Sequence, residues 1–158
     1  NLLAIVSRGG NYLIGIGPDA QGRMSSWIGR GLEELGNFLG VNGEGIYSTR
    51  PWLDIDQVTG DEGWSWYATR PKDDDQRVFF FGMPPAPLAD EATELSLEEA
   101  TFAPAGLAST WLEVPGEVSQ ARILGSVEPV IVENREGSSR LVIPQTDLCY
   151  VIGLELTF

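Results

Sequence analysis

The chain has 158 residues, of which 42% are apolar, so it is long enough to bury a hydrophobic core of its own. Its 23 acidic residues outnumber its 10 basic ones, and a net charge of -13 argues against nucleic acid and anionic membranes as partners because both would be repelled. No apolar run approaches the roughly 20 residues of a membrane-spanning helix, and the amino-terminal residues lack the order of a signal peptide.

The charge is unevenly distributed along the chain. Residues 1–50 carry equal numbers of basic and acidic residues, namely Arg8, Arg23, Arg30 and Arg50 against Asp19, Glu33, Glu34 and Glu44. All of the excess acid therefore follows Arg50. The hydrophobic pattern changes at the same position, which predicts two segments of different character.

The first segment predicts one strand and one helix. Residues 11–16 form a short apolar run between glycine-rich turns, which is typical of a buried strand in a parallel sheet. After Ser25 or Ser26, apolar residues recur at helical spacing until Gly40, which is expected to end the helix. A strand followed by a helix is the repeating unit of an α/β barrel. The chain opens at Asn1 within an apolar run, so we expect further sequence before it.

From Trp52 onward, apolar and polar residues alternate. Residues 63–69 and 77–82 flank a polar turn and predict a β-hairpin. Further strands are predicted at residues 94–97, 110–114, 118–124, 130–134, 139–143 and 149–157. The expected fold is therefore mainly β: an antiparallel two-sheet β-sandwich, preceded by one β-strand and one α-helix left over from an incomplete α/β barrel. The expected domains are a barrel remnant at 1–50 and the sandwich at 51–158.

The residue types narrow the chemistry. The chain has no histidine and a single cysteine, Cys149, which excludes an internal disulfide, a Ser-His-Asp or Cys-His site and histidine-ligated zinc within these residues. The glycines of residues 15–22 do not have dinucleotide-loop spacing, and residues 54–62 lack a calcium loop's oxygen ligand and glycine at positions 58 and 59. We expect no cofactor and no metal.

The loop Gly17, Pro18, Asp19 follows the predicted barrel strand, and active sites of α/β barrels collect in such loops. Asp19 is therefore the carboxylate best placed for chemistry. The alternative interpretation is that Asp19 only forms the turn, because Asp is common in turns for reasons of local hydrogen bonding.

Tryptophans are concentrated after the junction, and Trp52, Trp64 and Trp66 have two interpretations. Exposed rings could stack on sugars, whereas buried rings would form the sandwich core or contact another domain. Trp64 and Trp66 are two residues apart on a predicted strand, so both side chains point to the same face. The large area that such rings bury favours the core.

Two blocks of this sequence resemble the α-L-fucosidases of glycoside hydrolase family 29. Residues 5–22 resemble the late barrel helix, the final barrel strand and the turn after it, and residues 41–52 resemble the exit into the C-terminal domain. The remainder is similar in layout to the family's C-terminal β-sandwich. At Gly15 the family usually has Asn, so the polar side chain of that position is absent here.

The resemblance implies the C-terminal part of a retaining enzyme that removes terminal α-L-fucose with a carboxylate nucleophile and a carboxylic acid/base. In the family both groups lie ahead of the matched part, so no catalytic residue is assigned here and the chain alone is expected to be inactive. The implied partners are the missing catalytic barrel and a fucosylated glycan. The family suggests a secreted, periplasmic or lysosomal location, although this chain carries no targeting signal.

A barrel strand without its neighbours has open edges. We therefore expect residues 11–16 to pair with a second copy as a homo-oligomer, to pack on the sandwich or to lack order. Two other functions stay open: a carbohydrate-binding module that uses exposed Trp and Tyr, and a structural or oligomerising sandwich without a ligand.

Overall fold

A computed structural model describes residues 1–85, 107–146 and 151–158. It contains helices α1 (Leu2–Val6) and α2 (Ser26–Asn42), and 3-10 turns at Gly43–Gly45 and Leu53–Gln57. Its strands are β1 (Thr49–Pro51), β2 (Thr59–Gly60), β3 (Ser65–Pro71), β4 (Arg77–Met83), β5 (Thr110–Pro115), β6 (Gln120–Ile123), β7 (Ile131–Arg135), β8 (Ser138–Ile143) and β9 (Ile152–Thr157). Neither α1 nor α2 is long and apolar enough to cross a membrane.

The strands form two antiparallel sheets, which confirms the predicted mainly β, two-sheet sandwich. The five-stranded sheet has the order β1-β3-β4-β9-β6, and the four-stranded sheet has the order β2-β5-β8-β7. The predicted hairpin is β3–β4, with Ala68 opposite Phe80. The predicted strand at 94–97 and residue Cys149 lie outside the described residues, whereas β1 and β2 were too short to be predicted.

Helix α2 begins as predicted, because the backbone amide of Ile28 donates to Ser25 Oγ at 3.3 Å. The prediction that Gly40 ends the helix was wrong, since α2 continues to Asn42. The last turn rests on the five-stranded sheet through Phe38 and Leu39, and this packing outweighs the low helix propensity of glycine.

The strand predicted at residues 11–16 does not form in this structure. Residues 11–19 have no regular secondary structure and are exposed, and residues 11–18 make no backbone hydrogen bond to any described residue. A barrel strand is held by neighbours on both sides, and the described part of the chain provides none. None of the side chains of residues 11–16 belongs to a buried apolar cluster of the described residues.

The protein buries two apolar clusters, one on each face of the five-stranded sheet. Val78 and Phe80 of β4 point between the sheets, into the larger cluster. Phe79 and Phe81 point to the other face, where they meet Leu3 and the junction after α2. Strand β4 is therefore buried on both faces, and the amino-terminal segment forms a third layer over this sheet.

Candidate functional site

Residues 41–52, one of the two blocks singled out from the sequence, lie where α2 meets the sandwich. Their contacts form a docking seam. We use this name for Asn42, Gly45, Ile46, Phe79, Phe81 and Gly153. A Cβ on Gly45 would lie 2.7 Å from Phe81 Cζ, and a Cβ on Gly153 would overlap Asn42 Oδ1. Glycine is needed at both positions because the two layers approach so closely.

Hydrogen bonds fix the seam in place. Thr69 of β3 donates its hydroxyl to the carbonyl of Gly45 at 2.6 Å, and this side chain is buried. The hydroxyl of Thr49 donates to Ile46 O at 2.9 Å. Ser48 adopts a positive φ of 55°, unusual for a residue other than glycine, and its carbonyl accepts from the amide of Lys72 at 3.0 Å. The chain thus makes a tight, well-bonded turn as it enters the sheet.

Charged side chains add a second connection between the junction and the sheet. Glu155 of β9, whose side chain is only 12% exposed, pairs with Arg77 and Arg122, and Arg122 Nη2 also contacts Glu44 Oε1 at 2.7 Å. Burial alone would lower the pKa of Arg122, but its hydrogen bond to Glu44 and the charge of Glu155 raise it overall. Glu44 belongs to the 3-10 turn, so the network links the end of α2 to the five-stranded sheet.

The outer end of this network is the pair Arg77 and Asp74, which are 2.6 Å apart between Nε and Oδ2. The hydrogen bond from Arg77 is the main cause that holds the pKa of Asp74 below its usual value. The same hydrogen bond raises the pKa of Arg77.

The loop Gly17, Pro18, Asp19 is exposed, and Asp19 uses its carboxylate to close its own turn. Oδ1 accepts from the amides of Gln21 and Arg23 at 2.9 and 2.8 Å, and Oδ2 accepts from Arg23 Nε at 2.9 Å. The backbone amide of Arg23 is the largest cause that lowers the pKa of Asp19. The lowered pKa favours the ionised carboxylate, and its three hydrogen bonds fit the turn-forming interpretation of Asp19.

The three tryptophans singled out from the sequence lie in or beside the core. Trp52 is 7% exposed and contacts Phe80 edge-on, with ring centroids 5.1 Å apart, and also stacks on Phe158. Trp64 and Trp66 stack with centroids 5.7 Å apart and pack against the core cluster. Both are half-buried, so the sequence-based stacking hypothesis has only the outer edge of this pair available.

Several strongly exposed apolar side chains lie in the segment that precedes the seam, a feature that sequence analysis anticipated only for residues 11–16. Leu13 is 92% exposed, Trp27 57% and Ile16 51%. Residues 11–16 and one side of α2 face each other across a cavity of about 500 Å³ whose walls include Tyr12, Ile14, Ile16, Trp27 and Leu32. We call these residues and Leu13 the amino-terminal apolar surface. Contiguous exposed apolar residues usually mark a contact with another protein part.

The chemistry available in the described residues is limited. No group of three or more His, Cys, Asp or Glu side chains in 1–85, 107–146 and 151–158 is placed to share a metal ion. The described acidic side chains with a depressed pKa are Asp19, which is exposed, and Asp74, which is half-buried, and each is paired with an arginine.

Comparison with known proteins identifies the relatives of this chain. A sequence model of the family described as "Alpha-L-fucosidase" matches residues 1–44. The α-L-fucosidase of Dictyostelium discoideum is 36% identical over 84 residues, which are 53% of this chain and 17% of that protein. Human plasma α-L-fucosidase is 42% identical over 73 residues, which are 46% of this chain and 15% of that protein. This chain is a relative of the α-L-fucosidases.

Solved fucosidase structures share the fold across nearly the whole chain. Thermotoga maritima α-fucosidase superposes with a TM-score of 0.66 at 20% identity, covering 98% of this chain and 32% of that one. A family 29 α-L-fucosidase from Bacteroides thetaiotaomicron, trapped as a covalent intermediate, gives 0.67 at 19% identity and covers 98% and 30%. The match to the fucosidases thus spans about a sixth of the length of those two curated relatives and about a third of these solved chains.

Proposed function

We propose that this chain is the C-terminal part of a retaining α-L-fucosidase, in which a catalytic barrel hydrolyses terminal α-L-fucose from glycans. Residues 1–50 complete that barrel with its final strand and helix, and residues 51–158 form an accessory β-sandwich. The chain alone supplies no catalytic residue and is inactive.

One observation carries this proposal. The residues that match the family model also form the amino-terminal apolar surface, which is exposed in this structure. Residues 1–44 match the family, and within them lie Leu13, Ile16 and Trp27, all more than half exposed. A remaining barrel would supply hydrogen-bonded strands beside residues 11–16 and helices beside α2. This chain covers only 32% of the Thermotoga maritima enzyme, so most of a barrel would come from other residues.

The sandwich holds the two ends of this piece of the barrel. The docking seam buries Phe79 and Phe81 under the end of α2, and the network around Glu155 fixes Glu44 of the same turn. A support of this kind keeps the end of the final barrel helix at a fixed position on the sandwich. Retaining glycosidases need such precision, because their two carboxyl groups lie about 5 to 5.5 Å apart.

The proposal is tested by joining residues 1–158 to the preceding part of Thermotoga maritima α-fucosidase, cut where the structural match to this chain begins. Release of nitrophenol from 4-nitrophenyl α-L-fucoside is expected from the joined protein and from neither part alone. As a matched control, the joined protein carrying Leu13→Asp places a charge on the apolar surface and is expected to lose the activity. Turnover by the purified chain alone would overturn the proposed division of labour.

A further inference from the structure

The outer face of the four-stranded sheet carries a second feature that supporting a barrel does not require. Leu112 of β5 and Leu141 of β8 are fully buried and point to the core. Side chains alternate along a strand, so Trp111, Glu113, Arg140 and Val142 point outward. The amino-terminal layer covers the five-stranded sheet, so this face lies on the opposite side of the sandwich.

Apolar side chains form a row across three strands of this face. The register places Trp111 of β5 opposite Val142 of β8, which in turn is opposite Ile131 of β7. Ile131 is 58% exposed, while Trp111 and Val142 are half-buried. Neighbouring strands lie about 4.8 Å apart, so the row is roughly 10 Å long, which is about the length of two linked sugar rings.

Beside this row lies a guanidinium group stacked on the aromatic ring. Arg140 Cζ is 4.3 Å from the ring centroid of Trp111. The register puts Glu113 and Glu133 on either side of Arg140, yet neither carboxylate comes within 4.0 Å of its nitrogens in the described structure. Glu113 accepts from Ser138 Oγ at 2.7 Å and lies 3.8 Å from Arg135 instead. The donors of Arg140 are thus held over an apolar row, beside carboxylate acceptors.

The charges of this face indicate which ligand it suits. Glu113 and Glu133 balance Arg135 and Arg140, so the face is neutral although the chain carries a net charge of -13. A strongly charged partner would find no complementary potential here. An apolar row flanked by both donors and acceptors matches a sugar, which has an apolar C–H face and hydroxyl groups that both donate and accept.

We propose that Trp111, Val142, Ile131, Glu113, Arg140 and Glu133, which we call the outer platform, bind an uncharged oligosaccharide of about two sugar units. The sugar lies along the apolar row, and Arg140 and the two glutamates bind its hydroxyl groups. This site goes beyond the proposed hydrolysis and needs no catalytic group. It also assigns sugar binding to the outer face of the four-stranded sheet and not to Trp64 and Trp66.

The test follows the five indole N–H signals of the full chain by NMR while lactose or 2′-fucosyllactose is added. The expected result is a saturable shift of the Trp111 indole and of the Ile131 methyl groups. Arg140→Gln, a surface change, is expected to weaken binding about tenfold, since hydrogen bonds to a charged group are lost. Trp111→Ala should abolish binding and Trp111→Phe should retain part of it.

Trp64→Ala is the matched control, because it removes a half-buried tryptophan from the other sheet and should leave the sugar affinity unchanged. Three results would overturn the proposal: no shift with either sugar, shifts confined to Trp64 and Trp66, or shifts of the Trp111 signal that depend on protein concentration alone. The last result would assign the face to a second copy of the chain. Failure of this test leaves the nitrophenol result of the joined protein unaffected.

Discussion

The two ends of the amino-terminal segment and its middle both carry apolar side chains, but the ends are buried and the middle is exposed. Leu3, Phe38 and Ile46 pack on the outer face of the five-stranded sheet, where Phe79 and Phe81 meet them. Leu13 and Trp27 lie between these residues in sequence, yet both are exposed. What separates the two sets is the presence of a surface to pack against, since the sandwich reaches only the ends of the segment. Under the proposed function, the exposed set is the surface that the rest of the barrel would cover.

The largest expected effect contrasts one apolar residue from each set. Phe81→Ala removes a fully buried ring from the docking seam and should lower the free energy of unfolding by about 3 to 5 kcal/mol. Leu13→Ala should change it by no more than about 0.5 kcal/mol, because that side chain is already in water. Urea unfolding followed by circular dichroism measures both. Equal losses would show that residues 11–16 are packed in the isolated chain.

Two glycine substitutions test the same comparison, because one should lower the stability of the protein and the other should raise it. Gly153→Ala forces a Cβ onto Asn42 and should destabilise the protein by about 1 to 3 kcal/mol. Gly36→Ala on α2 meets no atom within 4 Å and should stabilise it by up to about 1 kcal/mol. Thermal unfolding separates the two outcomes.

The steric cause can be checked with a second change at the same contact. Asn42→Ala removes the atom that the new Cβ would meet, so the pair Asn42→Ala and Gly153→Ala should be less unstable than the sum of the single changes. Additive losses would mean that Gly153 matters for another reason.

The ionic connection between junction and sheet is expected to contribute less. Glu155→Gln leaves Arg77 and Arg122 without their shared, largely buried partner and should lower stability by about 1 kcal/mol. Arg23→Gln breaks an exposed pair within its own turn and should have no measurable effect on unfolding. An equal loss of stability for Arg23→Gln and Glu155→Gln would contradict the distinction between the network around Glu155 and the exposed turn of Asp19.

The smallest effect concerns pH at the outer end of the network. The hydrogen bond from Arg77 lowers the pKa of Asp74 in the folded protein relative to the unfolded chain, so its stabilising contribution is complete above the unfolded pKa. It is lost as the pH falls through the lower, folded pKa. An NMR titration of the Asp74 carboxyl carbon should show this low midpoint, and Arg77→Gln should raise it. An unchanged midpoint in that variant would remove Arg77 as the cause.

Sequence pattern predicted the sandwich better than the segment before it. The sequence pattern located β3, β4, β5, β7 and β8 to within about two residues, because these strands pack against residues of the same chain. The same reasoning failed for residues 11–16, since no described strand pairs with them. Gly40 was wrong as the helix end, because α2 is extended to Asn42 by packing on the sheet, and such tertiary contacts leave no local sequence signal.

The candidate sites were also predicted only as far as local sequence pattern determines them. Periodicity placed Trp64 and Trp66 on one face, but burial of that face depends on Gly60 and Gly82, which lie against the Trp66 ring. Trp111 stood out only as one aromatic among several, and its outward position required the register of β5 with β8. Arg140 carried no sequence signal at all, because its partner is on another strand.

The most direct test of the account is amide hydrogen exchange over residues 11–16, measured in the isolated chain and in the protein joined to a fucosidase barrel. In the isolated chain these amides should exchange as fast as an unstructured peptide, while those of β4 are protected. In the joined protein, protection of residues 11–16 should appear together with nitrophenol release. Strong protection of these residues in the isolated monomer, or no gain of protection in an active joined protein, would contradict the claim that they are the final strand of a missing barrel.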